Sequence, residues 1–175
     1  MKFNFRALTQ SPERLNVIST KLGSAKTEVY TDADLKKPMV MGTQGNMTIA
    51  AEDAEIEGFL DNIDQGGTSD GFTFGGVARC NAGTRMEVEV IGAANVLDFV
   101  VASANAAHGV ANGKKLGLVK KAATAPIHHK WRIISFADDT ASTVGGVVAV
   151  IEKLEGVAQC LHQLNYKAKT AKQPK

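Results

Sequence analysis

The amino-acid sequence predicts an all-β protein, a compact sandwich or barrel of the jelly-roll-like kind, and three observations lead to this prediction. Apolar and polar residues alternate in short runs, most clearly over residues 85–90, and alternation with a period of two is typical of half-buried strands. Glycine is frequent, with 17 residues against 4 prolines, and many glycines stand between these runs, where turns are expected. Strand-like segments do not alternate with long helical ones, so a Rossmann-like layout is not expected.

The chain of 175 residues divides by pattern into three parts. Its length suggests one domain with appendages and is sufficient to bury a core without disulfides or metal. Residues 1–37 form a predicted N-terminal arm, residues 38–152 a β-rich domain, and residues 153–175 a C-terminal helix and basic tail.

The N-terminal arm carries the signals of a short helix near residues 12–22. Ser11-Pro12-Glu13 has the chemistry of a helix start, because serine caps a helix, proline suits its first position and glutamate favours its positive end. Leu15, Ile18 and Leu22 then recur at helical spacing, and a glycine follows them. We therefore expect a short helical arm that packs on its own domain or on a neighbouring chain.

The central domain contains short apolar segments separated by glycine-rich turns. The predicted strands cover residues 38–41, 47–49, 56–63, 72–74, 86–90, 96–102, 116–118, 131–136 and 147–151. Many short strands of this kind indicate a sandwich or a barrel. Phe72 and Phe74 alternate with a threonine, so both rings are expected on one face of a strand. Together with Val88, Val100 and Ile133 they are predicted to be mostly buried.

The end of the chain fits two patterns. Apolar residues over 147–164 follow a helical period, but the valine-rich start of this stretch also fits a strand. We assign a strand to about Ile151 and a helix over residues 153–164. The segment from Lys167 onward is expected to be mobile, or ordered only by a partner.

The cysteines and the apolar runs bear on the cellular compartment. Cys80 and Cys160 are the two cysteines, fewer than a disulfide-framed secreted domain usually has. The first residues contain no apolar signal core, and no run approaches the roughly 20 apolar residues that span a bilayer. We therefore expect synthesis and retention in a cytoplasm, no membrane contact, and two reduced thiols that act as small hydrophobes.

The net charge is only +2, but the charged residues are unevenly distributed. Residues 52–70 contain seven acidic and no basic residues, residues 114–132 contain six basic and no acidic residues, and the tail after Glu155 is basic. Surfaces of opposite sign attract one another in neighbouring copies, whereas the alternative is solvated loops without a partner. The candidate partner contacts are Glu52, Asp53, Glu55, Lys114, Lys115, Lys120, Lys121, Lys167 and Lys169.

The sequence carries no motif with a catalytic or cofactor-binding mechanism. It has no GxxxxGKS, GxxxxGKT or GxGxxG phosphate loop, no GxSxG nucleophile turn and no HExxH pair. His128 and His129 are adjacent, so on a strand they would face opposite sides and not share one ion. We therefore predict no catalytic residues, no cofactor, no metal site and no enzyme activity.

A single-stranded nucleic-acid-binding barrel is an alternative function. Such barrels combine a basic groove with exposed aromatic rings on which bases stack. The basic residues over 114–132 would supply the groove, but Trp131 is the one aromatic residue among them. Other aromatic residues lie in apolar alternations and are expected in the core. Nucleic acid is therefore a less favoured partner.

Six segments follow one another in a characteristic order: an acidic run that leads to a strand, a glycine-framed aromatic strand, a valine-rich strand and three further apolar strands. They cover residues 51–59, 70–77, 85–90, 97–102, 130–134 and 146–152. In this order the chain resembles the cement, or decoration, proteins on the capsids of tailed bacteriophages. Leu97 stands where that family often has a glycine.

The resemblance implies a compact all-β protein that binds the outside of an assembled capsid and stabilises joints between capsid subunits. It implies no catalysis and no cofactor. The implied partners are the major capsid protein and other copies of the chain, and the implied location is the virion capsid surface after synthesis in the host cytoplasm. Another virion component, such as a tail-tube subunit, is the alternative among structural proteins.

Overall fold

The computed structural model describes residues 15–25, 28–64, 71–103, 109–111, 114–141 and 146–154. Within these residues the chain forms eleven β-strands and one three-residue 3-10 helix (Asp32–Asp34), without an α-helix. The strands are β1 (Leu15–Leu22), β2 (Pro38–Met41), β3 (Met47–Ile49), β4 (Gly58–Ile63), β5 (Thr73–Cys80), β6 (Arg85–Ile91), β7 (Phe99–Ala102), β8 (Gly109–Ala111), β9 (Lys114–Lys121), β10 (Trp131–Ala141) and β11 (Val147–Lys153). The predicted all-β class is confirmed.

The strands β1 to β5 close into a barrel. Their order around it is β1-β3-β2-β4-β5, and β1 returns to pair with β5. The pairing of β1 with β3 is parallel, and the other four pairings are antiparallel. Closure gives each strand a neighbour on both sides, which removes the exposed edges of an open sheet. We call this unit the first barrel.

The strands from β6 onward form a six-stranded sheet in the order β6-β11-β10-β7-β9-β8. A further parallel pairing joins β6 to β9. The strands β6, β11, β10, β7 and β9 therefore also form a closed circle, and β8 lies outside it on β9. We call this circle the second barrel. The barrel form of the predicted fold is confirmed, as two five-stranded units rather than one eight-stranded jelly roll.

The second barrel repeats the strand pairing and the register of the first. In both, the first strand is parallel to the third and antiparallel to the last, and the strand at the start of β4 or β10 shifts register after its third residue. Each strand residue of one barrel thus has an equivalent in the other. The matching register pairs are Leu22 with Met47 and Val90 with Val119, Met41 with Met47 and Ala102 with Val119, Met39 with Gly58 and Val100 with Trp131, Leu60 with Val77 and Ile133 with Ile151, and Ile18 with Val77 and Met86 with Ile151.

Equivalent positions of the two barrels are buried alike. Five positions, one on each strand, carry fully buried apolar side chains in both units. The equivalent pairs are Leu22 and Val90, Met39 and Val100, Met47 and Val119, Leu60 and Ile133, and Val77 and Ile151. Burial of one such side chain contributes about 1.5–3 kcal/mol. The repeat therefore preserves apolar character at each core position while the residue itself changes.

The repeat extends to the turn before the second strand of each barrel. Lys36 and Leu97 are equivalent, and both have a φ of 73°, in the left-handed region that non-glycine residues rarely adopt. The N–H of Lys36 donates to the carbonyl of Leu60 at 2.7 Å, and the N–H of Leu97 donates to that of Ile133 at 2.8 Å. Each turn is therefore held to the fourth strand of its own barrel in the same way.

The two barrels share a continuous core. The cluster inside the second barrel includes Ala50, Ile56, Phe59 and Cys80 from the first half of the chain. The backbones also approach closely, because a Cβ atom at Gly117 would lie 2.7 Å from a backbone carbonyl oxygen of the first barrel. We call this contact region the joint.

The helix expected near residues 12–22 is wrong over the part that the structure describes. Residues 15–22 form β1, which pairs with β5 along its whole length. Ile18 and Leu22 are four residues apart, and this spacing places two side chains on one face of a strand as well as on one face of a helix. The strand β1 also lies inside the range assigned to the arm. The helix expected over 153–164 begins at the end of β11, and its remaining residues from 155 onward lie outside the described part.

The predicted core is partly confirmed. Val88, Val100 and Ile133 are buried, whereas Phe72 and Phe74 are half-buried. The ring of Phe72 lies outside the core and holds the Nζ atom of Lys21 at 3.5 Å from its centroid. Alternation shows which side chains share a face, but it does not show which face points inward. The strand predicted from residue 96 begins at Phe99 instead, because residues 96 and 97 form a turn.

Candidate interaction surfaces

The acidic and basic stretches of the sequence meet inside the chain. The Nζ atom of Lys120, on β9, lies 3.0 Å from the Asp53 carboxylate and also pairs with the Glu52 carboxylate. Lys121 pairs with Asp98 at 2.9 Å. The loop between β3 and β4 and the strand β9 come from different barrels, so the charges in these two stretches hold the barrels together.

The other candidate contact residues have varied positions. The Nζ atom of Lys115 donates to the carbonyl oxygen of Asp32 at 2.6 Å across the joint. Lys114 is the first residue of β9, where its backbone pairs with β8. Lys167 and Lys169 lie outside the described residues. Their role as partner contacts stays a prediction.

Glu55 binds three consecutive backbone N–H groups of the second barrel. Its carboxylate accepts hydrogen bonds from the N–H groups of Ile127, His128 and His129, the last two at 2.9 and 2.8 Å. Partial burial opposes ionisation of the carboxyl group, but these donors outweigh it and hold its pKa below the ordinary value. His128 and His129 thus lie in the loop before β10 and not on a strand, and their backbone fixes the two barrels together.

Lys153 is a buried amine at the joint. Its Nζ atom donates to the carbonyl of Ile56 at 3.1 Å, lies 3.3 Å from Nδ1 of His129 and stands 5.0 Å from the centroid of the Trp131 ring. Burial lowers the pKa of Lys153 to about 8, and burial likewise raises the pKa of the neighbouring Cys80 thiol to about 12. Such an amine is partly neutral near neutral pH, but its enclosure limits it to a structural role.

A buried ion pair lies under the turn that contains Lys36. The Nζ atom of Lys36 lies 2.9 Å from Oδ1 of Asp61, and both side chains are almost completely enclosed. In the second barrel the equivalents of Lys36 and Asp61 are Leu97 and Ile134. An ion pair in one barrel therefore takes the place of two apolar residues in the other.

A small cleft opens on the first barrel, away from the joint contacts described above. It has a volume of about 270 Å³, and it is lined by Glu28, Val29, Tyr30, Asp34, Thr48 and Ile49. The apolar side chains of Val29 and Ile49 are exposed at this cleft, and two carboxylates stand beside them. Burial raises the pKa of Tyr30 to about 12, so its hydroxyl group stays protonated as a donor at neutral pH. The volume is below the range of pockets for drug-sized ligands.

Several large apolar side chains are exposed on the described surface. They are Val29, Met41, Ile49, Val96, Leu97, Ile127 and Val147. Sequence reasoning placed Val96 and Leu97 inside a strand. The signal that identifies the turn is the occurrence of an asparagine and an aspartate three residues apart, since the Asp98 carboxylate accepts a hydrogen bond from the N–H of Asn95 at 2.8 Å.

Two searches of the described residues concern metals and membranes. No three side chains among His, Cys, Asp and Glu come together there in a group that would hold a metal ion. In the same residues, no helix combines the length and the hydropathy that crossing a membrane requires.

Comparison with known proteins adds no relative. A scan against protein-family models, a search of curated proteins and a search of solved structures each found no significant match to this chain.

Proposed function

We propose that this chain is a structural protein of a tailed-bacteriophage virion, which binds the outside of the assembled capsid and stabilises joints between capsid subunits. The order of segments over residues 37–154 supports the phage context, because it resembles that of capsid cement proteins. The observation that carries a binding role is the cleft on the first barrel, which has an apolar floor and an acidic rim.

The size and chemistry of the cleft favour a protein partner. It accommodates a side chain better than a cofactor. Val29 and Ile49 offer apolar contact, and Glu28 and Asp34 offer negative charge. A lysine or arginine side chain of a capsid subunit matches both, because its stem is apolar and its head is cationic. Shell attachment through such contacts is slowed by salt, because the charges steer the encounter.

The fused double barrel suits a clamp across a joint. Its two units share one core, so force applied to one unit is transmitted to the other. Modest affinity at each contact is multiplied when several copies engage several subunits at once. An assembled shell offers these contacts in fixed geometry, whereas a free capsid subunit offers only part of them.

The test is a binding experiment with three partners. Purified protein is mixed with undecorated shells, with free capsid subunits and with single-stranded DNA, and the bound fraction is measured by co-sedimentation at several salt concentrations. We expect saturation at a fixed number of copies per shell and much weaker binding to free subunits. Tight, strongly salt-dependent binding to DNA without shell binding would instead support the nucleic-acid alternative.

A substitution tests whether the cleft makes the contact. Val29→Glu adds negative charge and removes apolar surface at the cleft, so shell binding is expected to fall. Val147→Glu makes the same change at another exposed valine, on β11, and is the matched control. Equal shell binding by both variants and the unsubstituted protein would assign the contact to another surface.

A further inference from the structure

The joint inside the chain consists of two matching faces. The first barrel presents the turn 34–37, in which Lys36 is only 3% exposed. The second barrel presents Gly117, where a Cβ atom would meet the carbonyl oxygen of Lys36 at 2.7 Å. Beside it, the N–H of Ala102 donates to the carbonyl of Ala54 at 3.0 Å. A turn of one barrel thus packs on the third strand and the end of the second strand of the other.

The repeated fold gives each barrel a counterpart of the face that the other uses. The equivalent of Lys36 on the second barrel is Leu97, which is 63% exposed. The equivalent of Ala102 on the first barrel is Met41, which is 44% exposed. Gly45 precedes β3 as Gly117 precedes the matching part of β9, and a Cβ atom at Gly45 would meet nothing within 4 Å. Both counterpart faces are therefore uncovered in a single chain.

We propose that these uncovered faces bind each other between two copies of the chain. The turn 95–98 of one copy, with Val96 and Leu97 at its tip, docks on the Met41 end of β2 and the Gly45 turn of the next copy. A second copy is the favoured occupant because the same two types of face already fit together inside the chain. The contact is head to tail, so each copy has one free face of each kind and the copies join into a ring or a filament.

The chemistry of the faces predicts an apolar contact. Inside the chain, Lys120 pairs with Glu52 and Asp53. The equivalent of Lys120 on the first barrel is Thr48. Thr124 and Ala125 follow Ala122 at the distance at which Glu52 and Asp53 follow Ala50, and the N–H groups of Ala50 and Ala122 make equivalent hydrogen bonds. The contact between copies therefore lacks these ion pairs and depends weakly on salt.

The turn 95–98 is rigid before it binds. The N–H of Leu97 donates to the carbonyl of Ile133, and the Asp98 carboxylate binds both the N–H of Asn95 at 2.8 Å and the Nζ atom of Lys121 at 2.9 Å. A fixed apolar tip loses little conformational freedom on docking. The left-handed backbone of Leu97 would suit glycine better, so a leucine at this position indicates a demand on the side chain.

The test uses two variants that each lose one face. Leu97→Lys places a charge on the turn, and Met41→Lys places a charge on the receiving face. Molar mass is measured by light scattering over a range of protein concentrations without any shell. We expect the unsubstituted protein to assemble as concentration rises and each variant to stay monomeric. An equimolar mixture should form one-to-one heterodimers, because it contains one intact pair of faces.

Control variants separate association from folding. Leu97→Gly relieves the left-handed backbone and removes the tip, so it should keep or raise thermal stability while abolishing assembly. Val147→Lys adds the same charge at an exposed valine outside both faces and should assemble like the unsubstituted protein. A monomeric unsubstituted protein, assembly by either lysine variant, or a mixture that stays monomeric would overturn the proposal.

The inference is independent of the capsid. Failure of the protein to bind shells would leave the mass measurements unchanged, and a monomeric protein would still bind shells through the cleft. The two proposals therefore fail in different experiments.

Discussion

The ring of Phe59 meets the indole of Trp131 edge to face at the joint, with the two centroids 5.7 Å apart. The indole Nε1–H donates to the carbonyl of Ile56 at 3.0 Å, so this tryptophan binds the first barrel by both apolar and polar contact. The register equivalent of Trp131 in the first barrel is Gly58. The aromatic pair thus belongs to the joint and is absent from the repeated pattern at that position.

Removal of either ring is expected to destabilise the whole protein. Phe59 and Trp131 are fully buried, so Phe59→Ala and Trp131→Ala should each lower the free energy of unfolding by about 3–5 kcal/mol. The double variant should lose less than the sum, by about 0.5–1.5 kcal/mol, because the edge-to-face pair is lost once. Chemical denaturation measures both quantities, and Phe74→Ala, at a half-buried ring, should cost less. Strictly additive losses would contradict a direct coupling of the rings.

The buried amine of Lys153 is expected to make stability depend on pH. Its pKa is about 8 in the folded chain against an ordinary value of 10.5. Below pH 8 the amine is charged in both states, and the folded state bears the full cost of burying that charge. Between these two pKa values the folded state releases its proton first, so stability rises with pH.

A substitution isolates this contribution. Lys153→Met lacks the titrating group, so its stability relative to the unsubstituted protein should be most favourable below pH 8 and should decline by up to about 3 kcal/mol toward pH 10.5, at about 1.4 kcal/mol per pKa unit. Cys80 titrates in both proteins, so its effect cancels in the difference. Urea unfolding at intervals across this range measures it, and a difference that is constant with pH would contradict a depressed pKa.

Loss of the Glu55 carboxylate is expected to weaken the joint. Glu55→Gln replaces one acceptor oxygen by a donor that faces backbone N–H groups, so the free energy of unfolding should fall by about 1–3 kcal/mol at neutral pH. The pKa of Glu55 is depressed below 4.5 in the folded chain. Its stabilisation is therefore present above that value and is lost as pH falls through the folded pKa.

The same loop supplies the control for this prediction. Glu52 forms an exposed ion pair with Lys120, and exposed pairs contribute about 0–1 kcal/mol. Glu52→Gln should therefore cost less than Glu55→Gln in the same denaturation experiment. Equal costs at neutral pH, or a Glu55→Gln cost that persists in acid, would show that the three N–H contacts are not the source of the effect.

The ion pair between Lys36 and Asp61 can be exchanged for the apolar residues of the other barrel. Lys36→Leu or Asp61→Ile alone leaves one buried charge without its partner and should cost about 3–5 kcal/mol. The double variant reproduces the Leu97 and Ile134 pair and should be near neutral or stabilising. Thermal unfolding of the three variants tests this, and a double variant as unstable as the singles would count against the equivalence of the two turns.

The strands were predictable because their signals are local. Alternation at Met86, Val88 and Val90 identified β6, and the burial of Val100 and Ile133 followed from apolar runs. Strand β1 was missed because Ile18 and Leu22 are spaced for either structure. Phe72 and Phe74 were misplaced because alternation leaves the inward face undetermined.

The joint and the repeat were not predictable from the sequence. Phe59 and Trp131 are brought together by the packing of two barrels, and no spacing in the chain indicates that contact. The two barrels keep apolar character at equivalent sites but not residue identity, as Met47 and Val119 illustrate, so no sequence repeat is visible. The charge blocks were visible, but only the fold shows that Lys120 finds its carboxylates within the same chain.

Electron cryo-microscopy of undecorated phage shells incubated with this protein tests the central claim most directly. The account predicts ordered density for the double barrel on the outside of the shell, at repeated positions over joints between capsid subunits, with the cleft lined by Val29 and Ile49 turned toward the shell. Bare shells at saturating protein, or density for the protein only in the tail of assembled virions, would contradict it.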